Sequence, residues 1–149
     1  MMMTRDDATE IILEAKRVAG FSFQQIAAQV GRHEVWVASA LLGQQSMSAD
    51  EAAKVAEVLG LGAEIVAALQ QHPMKGSLAG NPPTDPLIYR FHEIVQVYGT
   101  TLKAVIHEKF GDGIMSAIDF TMNVEKVADP KGDRVKVTLD GKFLAYKKW

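Results

Sequence analysis

The sequence predicts an α+β protein with a helical N-terminal domain and a C-terminal domain that holds a small β-sheet. Residues 8–71 have the pattern of short amphipathic helices rich in alanine. Residues 72–86 contain four of the five prolines, which marks a linker. Strand patterns appear only after it, and helices followed by strands are typical of α+β proteins. The predicted domains are residues 1–74 and 87–149, joined by a linker over residues 75–86.

The composition limits the classes of protein that need to be considered. The 149 residues are 48% hydrophobic and 23% charged, which suits one ordinary domain or two small ones. No apolar stretch approaches the roughly 20 residues that a membrane helix needs, and the N-terminus is acidic where a signal peptide would be basic. We therefore expect a cytoplasmic protein with no membrane contact. The sequence has no cysteine and only four scattered histidines, so a metal site is not expected.

The helical domain contains a helix-turn-helix pattern, of the kind found in DNA-binding domains. Ala27, Gly31 and Val37 supply the small residue, the turn glycine and the apolar residue at the usual spacing. However, residues 1–74 hold five Lys and Arg against nine Asp and Glu, and five minus nine is −4. DNA affinity comes largely from neutralised phosphates, which an acidic domain would repel.

The second helix of this pattern is also a poor reader of base edges. Its sequence, HEVWVASALLG, is expected to present Glu34, Trp36 and Ser39 outward, with only Arg32 nearby. The sequence therefore favours a packing unit over a nucleic-acid-binding one.

After the linker, a helix is predicted to begin at Pro86, capped by Thr84 or Asp85. It carries an apolar stripe expected to lie in the core, and Gly99 is expected to end it. The stripe consists of Leu87, Ile88, Phe91, Ile94, Val95 and Tyr98. A second helix, TTLKAVIHEKF, is predicted to end at Gly111.

Three polar residues near these helices are candidates for a site. Arg90 and Glu93 lie off the stripe and about 60° apart around the helix, so they can touch as a surface salt bridge or as part of a site for small anions. The GDG that ends at Gly113 can form an anion-binding nest. Ser116 is expected just before the first strand, either as a turn serine bonded to its own backbone or as a site residue.

The strands are predicted from period-two alternation. Ile118, Phe120, Met122 and Val124 form one apolar face, and Val135, Val137 and Leu139 form another. DPKGD is predicted to join the two strands, and Asp140–Gly141 to make a further tight turn towards Phe143 and Leu144. Two or three short strands are unstable alone, so we expect an oligomer in which subunits share this sheet.

The motifs also resemble a known family. PTDPLIYRFHEIVQVYGTTLKAVIHEKFGDGIMSAIDF is similar to the signature of cyanase (cyanate hydratase), and ALLGQQ, VEKVADPKGDR and VTLDGKFL are similar to other parts of that family. The resemblance extends over nearly the whole chain.

The resemblance implies a hydro-lyase with bicarbonate as co-substrate and no metal or organic cofactor. Cyanate and bicarbonate would give carbamate and carbon dioxide, and carbamate would then give ammonia and a second carbon dioxide. The catalytic arginine, glutamate and serine of the family correspond to Arg90, Glu93 and Ser116. Members are decamers of five dimers with interlocked C-terminal domains, and some carry a cysteine near the position of Ser77. The alternative is a non-catalytic helix-turn-helix regulator or scaffold.

Overall fold

The computed structural model describes residues 3–76 and 80–149 and divides the chain into two compact units, residues 1–77 and 78–149. Part of the predicted linker, including Ser77, lies outside the described residues. The described elements are six helices and one two-stranded antiparallel sheet, which confirms the α+β prediction. In chain order they are α1 (Arg5–Ala19), α2 (Phe23–Val30), α3 (Glu34–Leu41), α4 (Ala49–Leu59), α5 (Ala63–Gln70), α6 (Pro86–Phe110), β1 (Gly113–Val127) and β2 (Arg134–Ala145).

Local capping explains why the N-terminal helices begin and end where they do. Helices α1, α2 and α4 each begin with a capping box, in which two side chains and two backbone amides bond reciprocally. The pairs are Thr4 with Asp7, Ser22 with Gln25, and Ser48 with Glu51. The same three helices end at glycines with positive φ, namely Gly20, Gly31 and Gly60.

The hydrophobic core lies entirely in this first unit. Among the described residues, every buried hydrophobic side chain falls between Ala8 and Leu69. The largest fully buried ones are Ile12, Ile26, Leu41, Ile65 and Leu69. The five helices thus form a bundle that buries its own apolar faces.

The predicted helix-turn-helix is present as α2 and α3. Ala27 and Val37 are buried, and Gly31 turns the chain with a φ of 82°. Glu34 is exposed as expected, whereas Trp36 and Ser39 are half-buried and not fully outward. The prediction of an outward-facing row of side chains is therefore only partly correct.

Helix α6 is a single helix of 25 residues, so the prediction that Gly99 ends it was wrong. The Asp85 carboxylate caps it by accepting from the Leu87 amide at 2.9 Å, and it ends before Gly111 as predicted. Gly99 is not among the glycines with positive φ. A helical glycine costs only about 1 kcal/mol relative to alanine, which does not stop a helix that continues with helix-forming residues.

The apolar stripe on α6 is exposed within a single chain. The prediction that it lies in the core of that chain was therefore wrong. No residue of α6 is buried. The large apolar side chains that it exposes are Leu87, Ile88, Phe91, Ile94, Val95, Val97, Tyr98, Leu102, Val105 and Phe110. A contiguous exposed apolar patch of this size is typical of an interaction surface.

The two strands pair from Gly113 opposite Ala145 to Val127 opposite Arg134. The predicted DPKGD turn joins them, with Gly132 at a φ of 125°. The tight turn predicted at Asp140–Gly141 is absent, because Gly141 pairs with Phe120 within a continuous β2. The two strands fall within the predicted two or three, but at 15 and 12 residues they are longer than expected.

The register of the sheet shifts near its first end. Met115 pairs with Phe143, and the next recorded pair is Phe120 with Gly141. Residues 116–119 on β1 therefore lie opposite Lys142 alone, as an enlarged β-bulge. We call residues 116–119 the bulge.

Residues 3–76 and 80–149 include no helix with the length and apolarity needed to cross a membrane.

Candidate functional site

Arg90 and Glu93 are in contact on α6, as their spacing predicts. Arg90 Nη1 donates to Glu93 Oε2 at 2.9 Å. The two side chains are 63% and 46% exposed, so in one chain this is a surface ion pair worth less than about 1 kcal/mol. Exposure also leaves the pair accessible to a ligand or to a second subunit.

The guanidinium of Arg90 keeps much of its binding capacity. In the part of the chain that the structure describes, its hydrogen bond to Glu93 uses one N–H donor of several. The planar fork that remains suits the paired oxygens of a carboxylate-like anion. Glu93 limits the directions in which that fork can point, since its carboxylate lies one helical turn away.

Ser116 lies within β1 and is 6% exposed, whereas the sequence placed it before the strand. Its Oγ accepts from the backbone amides of Ile118 at 3.0 Å and of Asp119 at 2.9 Å. The predicted bonding of Ser116 to the local backbone is therefore present, although in a strand and not in a turn.

This bonding pattern restricts what the Ser116 hydroxyl can do. A hydroxyl has two lone pairs and one hydrogen, and both acceptor positions of Ser116 Oγ are used by amides. Its hydrogen is left to donate. The residue is therefore suited to bind an anion and poorly suited to act as a base or nucleophile.

The predicted anion nest in GDG is not free in the structure. The amide of Gly111 donates to the His107 carbonyl at 2.8 Å, and Gly113 already belongs to β1. The backbone here is used to end α6 and to begin the sheet. The amides of Ile118 and Asp119, further along β1, donate instead to the Ser116 hydroxyl.

One chain does not bring the three candidate residues together. Within the described residues, Arg90 and Glu93 share no hydrogen bond or ion pair with Ser116. A cleft of about 300 Å³ between α6 and the start of β1 is lined by residues such as Lys103, His107 and Met115, and includes none of the three. The described residues also contain no cluster of three or more metal-ligand side chains.

Sequence reasoning missed Gly141. It was interpreted as part of a turn, yet it lies in β2 opposite Phe120, directly against the bulge that carries Ser116. The available signal was a glycine inside an alternating strand pattern, which often marks a bulge or a close backbone approach.

Comparison with known proteins gives matches along nearly the whole chain. Residues 5–73 match the family model described as cyanate hydratase, N-terminal, and residues 80–148 match the cyanate lyase C-terminal domain. The chain is 59% identical to a cyanate hydratase of Parasynechococcus marenigrum, covering 99% of this chain and all of the relative. It is 61% identical to one from Synechococcus sp. strain CC9311, over 95% of this chain and 94% of the relative.

A solved structure is also similar. The crystal structure of cyanase from T. urticae superposes with a TM-score of 0.83 at 40% identity, covering 93% of this chain and 96% of that one.

Proposed function

This chain belongs to the cyanate lyase family, and from that premise we propose that it converts cyanate and bicarbonate into carbamate and carbon dioxide. The enzyme is a lyase that decomposes cyanate. In the proposed reaction, cyanate, bicarbonate and one proton give carbamate and carbon dioxide, and carbamate with a second proton gives ammonia and carbon dioxide. The proposal includes a cytoplasmic location, which cell fractionation would test.

The observation that carries the site proposal is the Arg90–Glu93 pair, because it leaves guanidinium donors available to anions. Both proposed substrates are monoanions, and they must approach to bonding distance. Two unit charges about 4 Å apart repel by about 1 kcal/mol in water and by about 4 kcal/mol in a typical protein environment. A fixed cation offsets this repulsion and the charge of the dianionic adduct. We assign that role to Arg90.

Glu93 acts through Arg90 in this proposal. Its carboxylate lies 2.9 Å from Arg90 Nη1, which favours one orientation of the guanidinium. A guanidinium already oriented before substrates bind loses less side-chain entropy on binding them. Glu93 is therefore proposed as a positioning residue and not as a general base.

Ser116 supplies a directed hydrogen bond. Its two accepted bonds from the amides of Ile118 and Asp119 fix the oxygen and leave its proton to donate to a substrate oxygen. A donor held in this way helps keep two anions in reacting geometry. No metal or organic cofactor takes part in the proposed chemistry.

We further propose that the working enzyme is a homo-oligomer, a decamer of five dimers, whose subunits together complete the site. Three observations support this. The second unit exposes the apolar stripe of α6, a two-stranded sheet is marginal alone, and within the described residues no hydrogen bond or ion pair links Arg90 to Ser116. A partner subunit that covers α6 would also exclude water from Arg90, which strengthens its interaction with anions.

The experiment is ammonia release from cyanate in buffer freed of carbon dioxide, with and without added bicarbonate. We expect release that depends on bicarbonate and reaches saturation with it. Ammonia release at the full rate without bicarbonate would contradict the co-substrate role. No release under either condition would contradict the activity itself.

A further inference from the structure

Gly141 makes an unusually close approach to the bulge. A Cβ built on Gly141 would collide with the carbonyl oxygen of Ser116 and would lie 2.6 Å from Met115 Cγ. It would also lie 3.2 Å from Cδ2 of Phe120, the residue that pairs with Gly141. The collision with a backbone oxygen matters most, because the end of a flexible side chain can move aside more easily than a strand backbone can.

The backbone of Ser116 is confined by β2. Its carbonyl oxygen lies against Gly141, while its hydroxyl accepts hydrogen bonds from the amides of Ile118 and Asp119 in the same bulge. The close approach and the two hydrogen bonds thus act on the same residue. A displacement of the Ser116 backbone is expected to change the direction of its hydroxyl.

We propose that Gly141 is a positioning residue for catalysis: the absence of a side chain at this position lets Ser116 lie close against β2, which aims the Ser116 hydroxyl at the substrate anion. The inference rests on the proposed role of Ser116. Gly141 does not have positive φ, so the need for glycine here is one of space and not of backbone conformation.

The first test is Gly141→Ala. The added methyl group should displace the bulge, and turnover should fall by about tenfold to a hundredfold, the scale that small misplacements of catalytic groups produce. Gly80→Ala is the matched control, because a Cβ there meets no atom within 4 Å, and it should keep the parent rate. Gly141→Ala at the parent rate would overturn the inference.

The second test separates positioning of Ser116 from general damage to the sheet. Gly141→Ala is combined with Ser116→Ala in a double-mutant cycle. Cyanate turnover is measured for the parent, the two single variants and the double variant. If Gly141 acts through the Ser116 hydroxyl, Gly141→Ala should change the rate by less than about twofold once that hydroxyl is gone. An equal loss in both backgrounds would show that the methyl group acts by another route, and the inference would fail.

A comparison at Ile118 tests the premise that the bulge aims Ser116, and it does not depend on the assembly of Gly141→Ala. Ile118 is 98% exposed as a residue, and its amide donates to Ser116 Oγ. Ile118→Pro removes that amide at a bulge, where proline is tolerated, and Ile118→Ala removes the same side chain but keeps the amide. Turnover at least about tenfold lower for the proline variant supports a bulge that aims Ser116. Equal rates would overturn it.

The cycle also distinguishes failure of the inference from failure of the proposed function. An inactive Ser116→Ala beside a fully active Gly141→Ala would reject only the role of Gly141. A fully active Ser116→Ala would reject the role of Ser116 in the reaction and, with it, the inference.

Discussion

Arg32 and Glu51 form an ion pair that joins the turn of the helix-turn-helix to the first turn of α4. Arg32 Nε donates to Glu51 Oε1, and the other carboxylate oxygen accepts from the Ser48 amide at 2.8 Å. Glu51 is 9% exposed. Its pKa lies below the ordinary value, chiefly because the Ser48 amide bonds to the charged form and also because Arg32 does. This arrangement has consequences for both stability and DNA binding.

Glu51→Gln should lower the stability of the N-terminal unit by about 1–2 kcal/mol at neutral pH, through loss of the ion pair and weakening of the cap. The native pKa is lowered, so the parent has this contribution above the ordinary pKa of 4.5 and loses it as pH falls below that value. The difference in free energy of unfolding between variant and parent should therefore become smaller in acid. Urea unfolding followed by circular dichroism at several pH values measures it.

Glu57→Gln is the control for this effect, since Glu57 is an exposed residue of the same helix. It should change stability by less than about 0.5 kcal/mol at any pH. A deficit for Glu51→Gln that stays constant into acid would contradict the assigned cause.

The protein should show no salt-sensitive binding to duplex DNA above background. Residues 1–74 carry more acidic than basic side chains, and the one arginine beside the second helix, Arg32, is already paired with Glu51. Such a surface gains little from release of phosphate counterions. Gel shifts at low and moderate salt test this, and a sequence-dependent shift would restore the regulator interpretation.

The purified protein should be far larger than its 16.3 kDa chain, with a decamer as the expected species. The reason is the exposed apolar stripe of α6, which a second subunit can cover. Sedimentation velocity measures the size. A stable folded monomer at micromolar concentration would contradict both the shared sheet and the shared site.

Arg90→Lys and Arg90→Ala should both assemble and both lose turnover by a factor on the order of 10² or more. Lysine keeps the charge and loses the planar fork, whereas alanine loses both. Arg134→Ala, which removes another exposed arginine of the same unit, should keep the parent rate. Sedimentation must accompany each assay, and an assembled Arg90→Ala enzyme with full activity would show that the site lies elsewhere.

Ser116→Ala should lose activity in the same direction as the Arg90 variants, because it removes the hydroxyl that we propose donates to substrate. Ser39→Ala is its control. The Ser39 hydroxyl donates to the Trp36 carbonyl within α3, at 2.7 Å, so its loss should leave turnover unchanged. Equal rates for the two variants would remove Ser116 from the mechanism.

Sequence reasoning worked best where local chemistry decides structure. The turn at Gly31, the cap at Asp85 and the contact between Arg90 and Glu93 all depend on neighbours within a few residues. Each was predicted and is present. The roles of Arg90 and Glu93 in the reaction stay predictions.

Sequence reasoning failed where contacts between residues far apart in the sequence override a local signal. Asp140–Gly141 has the composition of a hairpin turn, but Gly141 is used to let the bulge approach β2. Gly99 resembles a helix end, but α6 continues through it. The stripe on α6 was correctly recognised as apolar, yet its spacing cannot say whether the surface that covers it belongs to the same chain or to another.

The confinement of buried apolar side chains to residues 8–69 makes the two units respond differently to dilution. The first unit holds its own core, so its stability should not depend on protein concentration. The described residues of the second unit, 80–149, include no such core, and if association supplies it, the free energy of forming the site scales with the logarithm of enzyme concentration. Specific activity would then fall on dilution while most of the helical signal persists, so that enzyme concentration itself acts as a control on cyanate turnover.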